Sequence, residues 1–189
     1  MIVTSWNQLH KDILNCTACP LHQGIRHKVA GQGDPNATVM IVGEGPGAQE
    51  DLKGIAFIGA AGELLTKMLA AIHIDRKDVY ISNVIKCRPP NNRTPTMQEC
   101  NQCLPFLRQQ FALVRPQIML LMGSTALKAL LSPELTITKS RGKWVERKGI
   151  WMLPTYHPAA LLRDPAKKIE AWHDMQLLES KLKELDSLI

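Results

Sequence analysis

Three short, largely apolar runs constrain this chain more than anything else in it. They are residues 38–42 (T-V-M-I-V), 79–85 (V-Y-I-S-N-V-I) and 117–122 (Q-I-M-L-L-M). Such runs cannot alternate one face to solvent, so they predict strands buried on both sides. Between them lie stretches of helical period. Residues 61–72 carry Leu64, Leu65, Met68, Leu69 and Ile72 on one face. Residues 94–111 start T-P-T and then turn helical, and residues 124–131 form a helix with Ser124 as expected N-cap. Residues 144–146 and 150–156 predict two more strands. The tail has Ala171, Met175, Leu178, Leu182 and Leu185 on one stripe, a helix over about 167–187 that packs on the core. Strand–helix alternation with apolar strands predicts an α/β fold, a parallel sheet covered on both faces. Sites in such sheets form at the carboxyl ends of the strands.

Unusual segments stand at those ends. Gly43-Glu44-Gly45-Pro46-Gly47 follows the first strand. Its glycines let backbone approach a ligand, but it lacks the Lys-Ser/Thr of a phosphate loop, and no early helix is expected after it. Phe57 lies among glycines further on, suited to stacking or to a place in the core. Asn83, followed by Cys87, sits near the end of the second strand, and Tyr156-His157-Pro158 at the end of the last. An exposed Leu161-Leu162 before Arg163 would suit a wedge in a base stack beside a phosphate contact.

The 189 residues suffice for one domain with a core of its own. Polar groups throughout the first fourteen residues predict no secretion signal, and no apolar run is long enough to span a bilayer. The expected location is cytoplasmic. Five cysteines, two of them in Cys16-Thr17-Ala18-Cys19, are odd in number and so argue for ligands rather than disulfides. Cys16, Cys19, Cys87 and Cys103 could hold zinc or an iron–sulfur cluster, while Cys16/Cys19 with Cys100/Cys103 is the plain zinc alternative. The net charge is +6, and residues 139–168 hold eight basic residues against two acidic ones. That is a solvated face or a footprint for nucleic acid.

Together these segments resemble the family four uracil-DNA glycosylases of bacteria and archaea. The resemblance rests on C-T-A-C-P-L, G-E-G-P-G-A-Q-E-D, G-I-A-F-I-G-A-A-G, Y-I-S-N-V-I-K-C-R-P-P-N-N-R-T-P and H-P-A-A-L-L-R. It implies one domain over residues 1–189: a three-layer α/β/α sandwich around a four-stranded parallel sheet, with a cluster-binding segment near 10–30. It also implies a [4Fe–4S] cluster on Cys16, Cys19, Cys87 and Cys103, with Cys100 left over. The implied activity is hydrolysis of the N-glycosidic bond of uracil in single- or double-stranded DNA, leaving an abasic site uncut. Gly43, Glu44 and Gly45 would line the base slot, with Phe57 as stacking floor, Asn83 as base reader and His157 as donor to O2. Glu44, Glu50 and Asn92 are the candidates near the attacking water. Leu161, Leu162 and Arg163 would face DNA. The chain departs from the family at Ala56, where proline is usual, and at Ala159 and Ala160, where Ser-Tyr is common. Better-known uracil glycosylases carry an aspartate where Gly45 stands. The segment between Cys87 and Cys103 is too short for the loop of the covalently trapping branch. The protein is expected to be a monomer with no membrane partner. A catalytically weak iron–sulfur DNA-binding or redox protein, or a zinc-ribbon-like interaction protein, is the alternative.

Overall fold

The computed structural model describes residues 5–187, so the two ends of the expected domain lie outside it. The strands are β1 (Gln32–Gly33), β2 (Val39–Gly43), β3 (Tyr80–Asn83), β4 (Ile118–Met122), β5 (Val145–Arg147) and β6 (Ile150–Thr155). The helices are α1 (Trp6–Asn15), α2 (Ala48–Lys53), α3 (Ala60–Ala70), α4 (Met97–Val114), α5 (Ser124–Leu130), α6 (Ile137–Ser140), α7 (Pro158–Arg163) and α8 (Lys168–Asp186).

The strands form one sheet in the order β1-β3-β2-β4-β6-β5. The inner four are parallel, as expected, and β1 and β5 add antiparallel edges. β5 and β6 form a hairpin through Lys148 and Gly149, both at positive φ (55° and 78°). Such a two-residue turn matches the twist of the strands it joins.

Alternate strand residues feed two cores. Met40, Val42, Met119 and Leu121 pack with Cys100, Leu104 and Leu107 of α4 and Ala126 of α5. Val39, Ile41, Ile118 and Leu120 pack with Leu65 and Leu69 of α3 and Met175 and Leu178 of α8. Each buried aliphatic side chain contributes about 1.5–3 kcal/mol. The stripe on the tail helix is therefore a core face.

Three local expectations need correction. Helix α2 does follow the glycine loop at once. It buries Glu50 and Asp51 rather than an apolar stripe, so no periodicity announced it. The segment after His157 is helix α7, with His157 as N-cap and Pro158 in the first turn. The N-cap of α5 is Gly123, at φ 91°, and Ser124 is its first helical residue. Helix α4 starts after T-P-T, as expected, and Thr96 caps it: Thr96 Oγ1 accepts from Glu99 N (3.2 Å) and Glu99 accepts from Thr96 N (2.8 Å).

Asp174 of α8 is wholly buried at the end of β6. It accepts from Thr155 Oγ1 (2.7 Å) and from Arg141 Nε (2.9 Å), with a second bond from the Arg141 guanidinium. Arg141 of the basic stretch is thus an internal brace beneath the histidine segment. Asp174→Ala removes both carboxylate bonds to the guanidinium, leaving it only Glu170, strips Thr155 of its acceptor, and should lower stability by about 3–5 kcal/mol in urea unfolding. An unchanged midpoint would refute this role.

Candidate active site

A cleft of about 530 Å³ opens at the carboxyl ends of the parallel strands. Glu44, Gly45, Pro46 and Gly47 form one wall, and Gly123, Ser124 and Thr125 another. His157, Ala160 and Arg163 close it on one side, and Pro89, Asn92, Arg93 and Thr94 on the other.

Phe57 and His157 line this cleft, and Asn83 lies behind it, against Gly43 and close to the Phe57 ring. β2 and β3 pair with Gly43 opposite Asn83, which brings the glycine loop beside the asparagine. A Cβ on Gly43 would lie 2.5 Å from Phe57 Cζ and 2.6 Å from Asn83 Oδ1, so only glycine fits. The Phe57 and His157 rings are tilted, with centroids 5.4 Å apart. Asn83 is 2% exposed and does not itself reach the open cleft; it lies against Gly43. Among the described residues Asn83 Oδ1 is a buried side-chain polar atom with no hydrogen-bond partner. Leaving a buried acceptor unpaired costs about 1–3 kcal/mol, so the atom is poised for a donor from a ligand.

The Phe57 loop is held in an unusual conformation. Phe57 has φ 51°, rare for an aromatic residue. Its carbonyl sits where a Cβ on Gly62 would be, 1.7 Å away. Arg76 Nη2 donates to the Ala56 carbonyl (2.8 Å), and Gln32 bonds the Ala56 backbone on both sides (3.3 Å). Glu50 completes the brace. Its carboxylate accepts from the amides of Gly47 (3.1 Å), Ile58 (2.9 Å) and Gly59 (2.8 Å). It lines the cleft, but its oxygens are committed to backbone, and it ties the glycine loop to the Phe57 loop. Asp51 does similar work behind it, accepting from the amides of Arg26 (2.9 Å) and His27 (3.3 Å).

His157 Nδ1 accepts from Ala159 N (3.2 Å). Burial, reinforced by the charge of Arg163, pushes the imidazole down to about 4. The ring is therefore neutral near pH 7, and its one proton sits on Nε2 as a donor. Glu44 accepts from the buried Thr125 hydroxyl. Asn92 is exposed, at φ 54°, and accepts from Arg88 Nε (2.7 Å). A Cβ on Gly45 would meet Ile85 Cγ1 at 2.5 Å, so no acidic side chain has room there.

The Leu161-Leu162 pair is split by the helix. Leu161 is 1% exposed and packs with Tyr156 and Ala171, while Leu162 is 46% exposed. Successive helical residues diverge by about 100°, so Leu161 belongs to the core and cannot serve as a wedge. Arg163 faces the cleft.

Cys16, Cys19, Cys87 and Cys103 line a second, small cavity together with Lys28, Lys86 and Phe106. Cys100 is not among them; it is buried in the core. Burial, then the neighbouring Cys103 and Cys19, push the Cys87 thiol up to about 12. Among the described residues no three metal-ligating side chains gather tightly enough to hold a single ion. The four thiols share this one cavity.

A family model of the uracil DNA glycosylase superfamily matches residues 30–176, most of the chain. The chain belongs to this superfamily. It is similar to the type-4 uracil-DNA glycosylase of Pyrobaculum aerophilum, 43% identical over 180 residues, 90% of this chain and 91% of that protein. It is 44% identical to the type-4 enzyme of Thermotoga maritima over 161 residues, 83% of each chain. The type-4 enzyme of Archaeoglobus fulgidus is 41% identical over 180 residues, 91% of this chain and 90% of that one. No helix of the described residues is long and apolar enough to cross a membrane.

Sequence reasoning missed Thr125, Arg93 and Lys86. Thr125 follows the end of β4, so the rule of strand ends could have flagged it. Lys86 showed no signal, because a lysine beside a cysteine gives no hint of burial.

The low value for His157 has a direct consequence. Its unfolded counterpart titrates near 6.5, so between about 6.5 and 4 the unfolded chain binds more protons. Stability from this residue is full above that window and is lost as pH falls through it. Histidine NMR should place the residue 157 midpoint near 4, and a midpoint above 6 would contradict the burial described.

Proposed function

We propose that this chain removes uracil from DNA by hydrolysing the C1′–N1 bond, releasing the free base and leaving an abasic site in an uncut strand. The relatives are type-4 uracil-DNA glycosylases. The observation that carries the reading is the unpartnered, buried carboxamide oxygen of Asn83, beside Phe57 and a neutral His157.

The target base is unreachable inside a duplex, so the nucleotide must swing out, at a cost of a few kcal/mol. Leu162 is the exposed apolar side chain suited to fill the gap, with Arg163 on the adjoining phosphates. Uracil presents N3–H as donor and O4 as acceptor. Asn83 Oδ1 accepts from N3–H and its NH2 donates to O4. Cytosine has the opposite pattern and would leave buried groups unpaired, at about 1–3 kcal/mol each. Phe57 supplies the stacking surface.

As the bond breaks, electrons move into the ring and charge grows on O2. The Nε2–H of His157 is the donor for that oxygen, worth about 3–4 kcal/mol in the transition state. A neutral imidazole holds its proton there without offering a competing positive charge. Water then captures the sugar cation. Glu44, oriented by Thr125, and Asn92 are the polar side chains on the cleft wall suited to position it. Glu50 acts as a brace for the two loops. No lysine of the described residues lines the cleft, in keeping with hydrolysis without strand cleavage.

Cys16, Cys19, Cys87 and Cys103 would hold a [4Fe–4S] cluster. The donor set fits: four thiols line one cavity, with lysines beside them. When bound, the cluster supplies a structural cross-link between the N-terminal segment, the end of β3 and α4.

Incubation of the iron-loaded protein with uracil-containing oligonucleotides should yield free uracil, with strand breaks only after alkali or heat. Asn83→Ala and His157→Ala should each slow release by about 10²–10³-fold. Absence of uracil release on both single and double strands would overturn the assignment.

A further inference from the structure

Lys86 is 2% exposed, the largest fully buried side chain of the described residues. Its Nζ donates to Ser82 Oγ, to the Asn83 carbonyl and to Gln110 Oε1, each at 2.7 Å. The Ser82 hydroxyl has acceptors of its own for its single hydrogen, Gln110 Oε1 (2.8 Å) or the Ala30 carbonyl (3.3 Å), which leaves its oxygen free to receive from the lysine. Three donated bonds use three N–H groups, which only the ammonium form has. All three acceptors are uncharged, and none of the ion pairs among the described residues includes Lys86. A buried cation without a counter-charge is costly. Yet its side chain lines the cavity of Cys16, Cys19, Cys87 and Cys103.

We infer that Lys86 is the internal counter-charge of the group held by those four cysteines, and that it ties this group to the backbone of Asn83. The inference rests on the cluster assigned above. Four thiolates outweigh the positive charge of a four-iron core, so the assembly is anionic and becomes more so on reduction. Lys86 is a positioning residue: it touches the site of the cluster on one side and the end of β3 on the other.

The test uses iron-loaded protein with Lys86→Met, and Gln110→Glu as a second variant. The glutamate keeps the volume of Gln110 but sets a carboxylate beside the ammonium, cancelling its charge at the cavity. Both variants should lose iron to a chelator about tenfold faster or more, and both should shift the reduction potential of the cluster to more negative values. Lys28→Met, at a half-exposed lysine on the same cavity, should change both readouts less. Should Lys86→Met fail to fold, Gln110→Glu decides. An unaltered potential and iron-loss rate in the folded variants would overturn the inference. Wild-type protein that binds no iron would instead sink the cluster assignment, and uracil release by wild type reports on the glycosylase reading separately.

Discussion

The parallel pairing of β2 with β3 is the constraint on which the rest depends. Its register sets Gly43 opposite Asn83, and the ladder continues beyond the strands through Val84 N to the Gly43 carbonyl (2.9 Å) and Ile85 N to the Glu44 carbonyl (3.1 Å). Two chain segments far apart in sequence thereby leave the sheet side by side. One carries the glycine loop, the other Asn83 and then Cys87. A slip by one residue would turn Asn83 to the opposite face of the sheet. The register is secured because both strands are buried along their length, and Val39, Met40, Ile41, Val42, Tyr80 and Ile81 each have a place in one core or the other.

Buried charge does the finer positioning. Glu50 binds two loops through three amides, Asp51 anchors the N-terminal segment, and Asp174 holds Arg141 under the strand that leads to His157. Charged groups inside a protein are costly unless hydrogen-bonded, and then they become directional. An apolar contact would tolerate sliding, whereas a carboxylate with three donors does not. This explains how Phe57 is kept at a positive φ. The strain is outweighed by the bonds to Ala56, Ile58 and Gly59 on either side of it.

Much of this was legible in the amino-acid pattern. The buried strands, the amphipathic helices and the core face of α8 follow from periodicity, because a side chain's face is set by local geometry. The suspicion that Gly43–Gly47, Asn83 and His157 form a site follows from their positions at strand ends. Helix α2 was not legible, since its buried residues are acidic and give no apolar period. Helix α7 was hidden by its short length, and the difference between Leu161 and Leu162 needed that helix to be known. The carboxylate of Glu50 read as a reactive group, and only the location of three distant amides shows it occupied.

What the sequence alone determined is the class of fold and the set of chemically capable residues. Both depend on local rules: which residues can be buried in a strand, which can cap or turn, and which can donate, accept or ligate. Only the tertiary structure decided which of those residues share a space. It put Cys103 rather than Cys100 on the cysteine cavity, gave His157 a neutral ring, left Asn83 Oδ1 unpaired and enclosed Lys86 without an acid. The reason is physical. Desolvation and hydrogen-bond satisfaction depend on everything that surrounds an atom, and most of those surroundings come from distant parts of the chain.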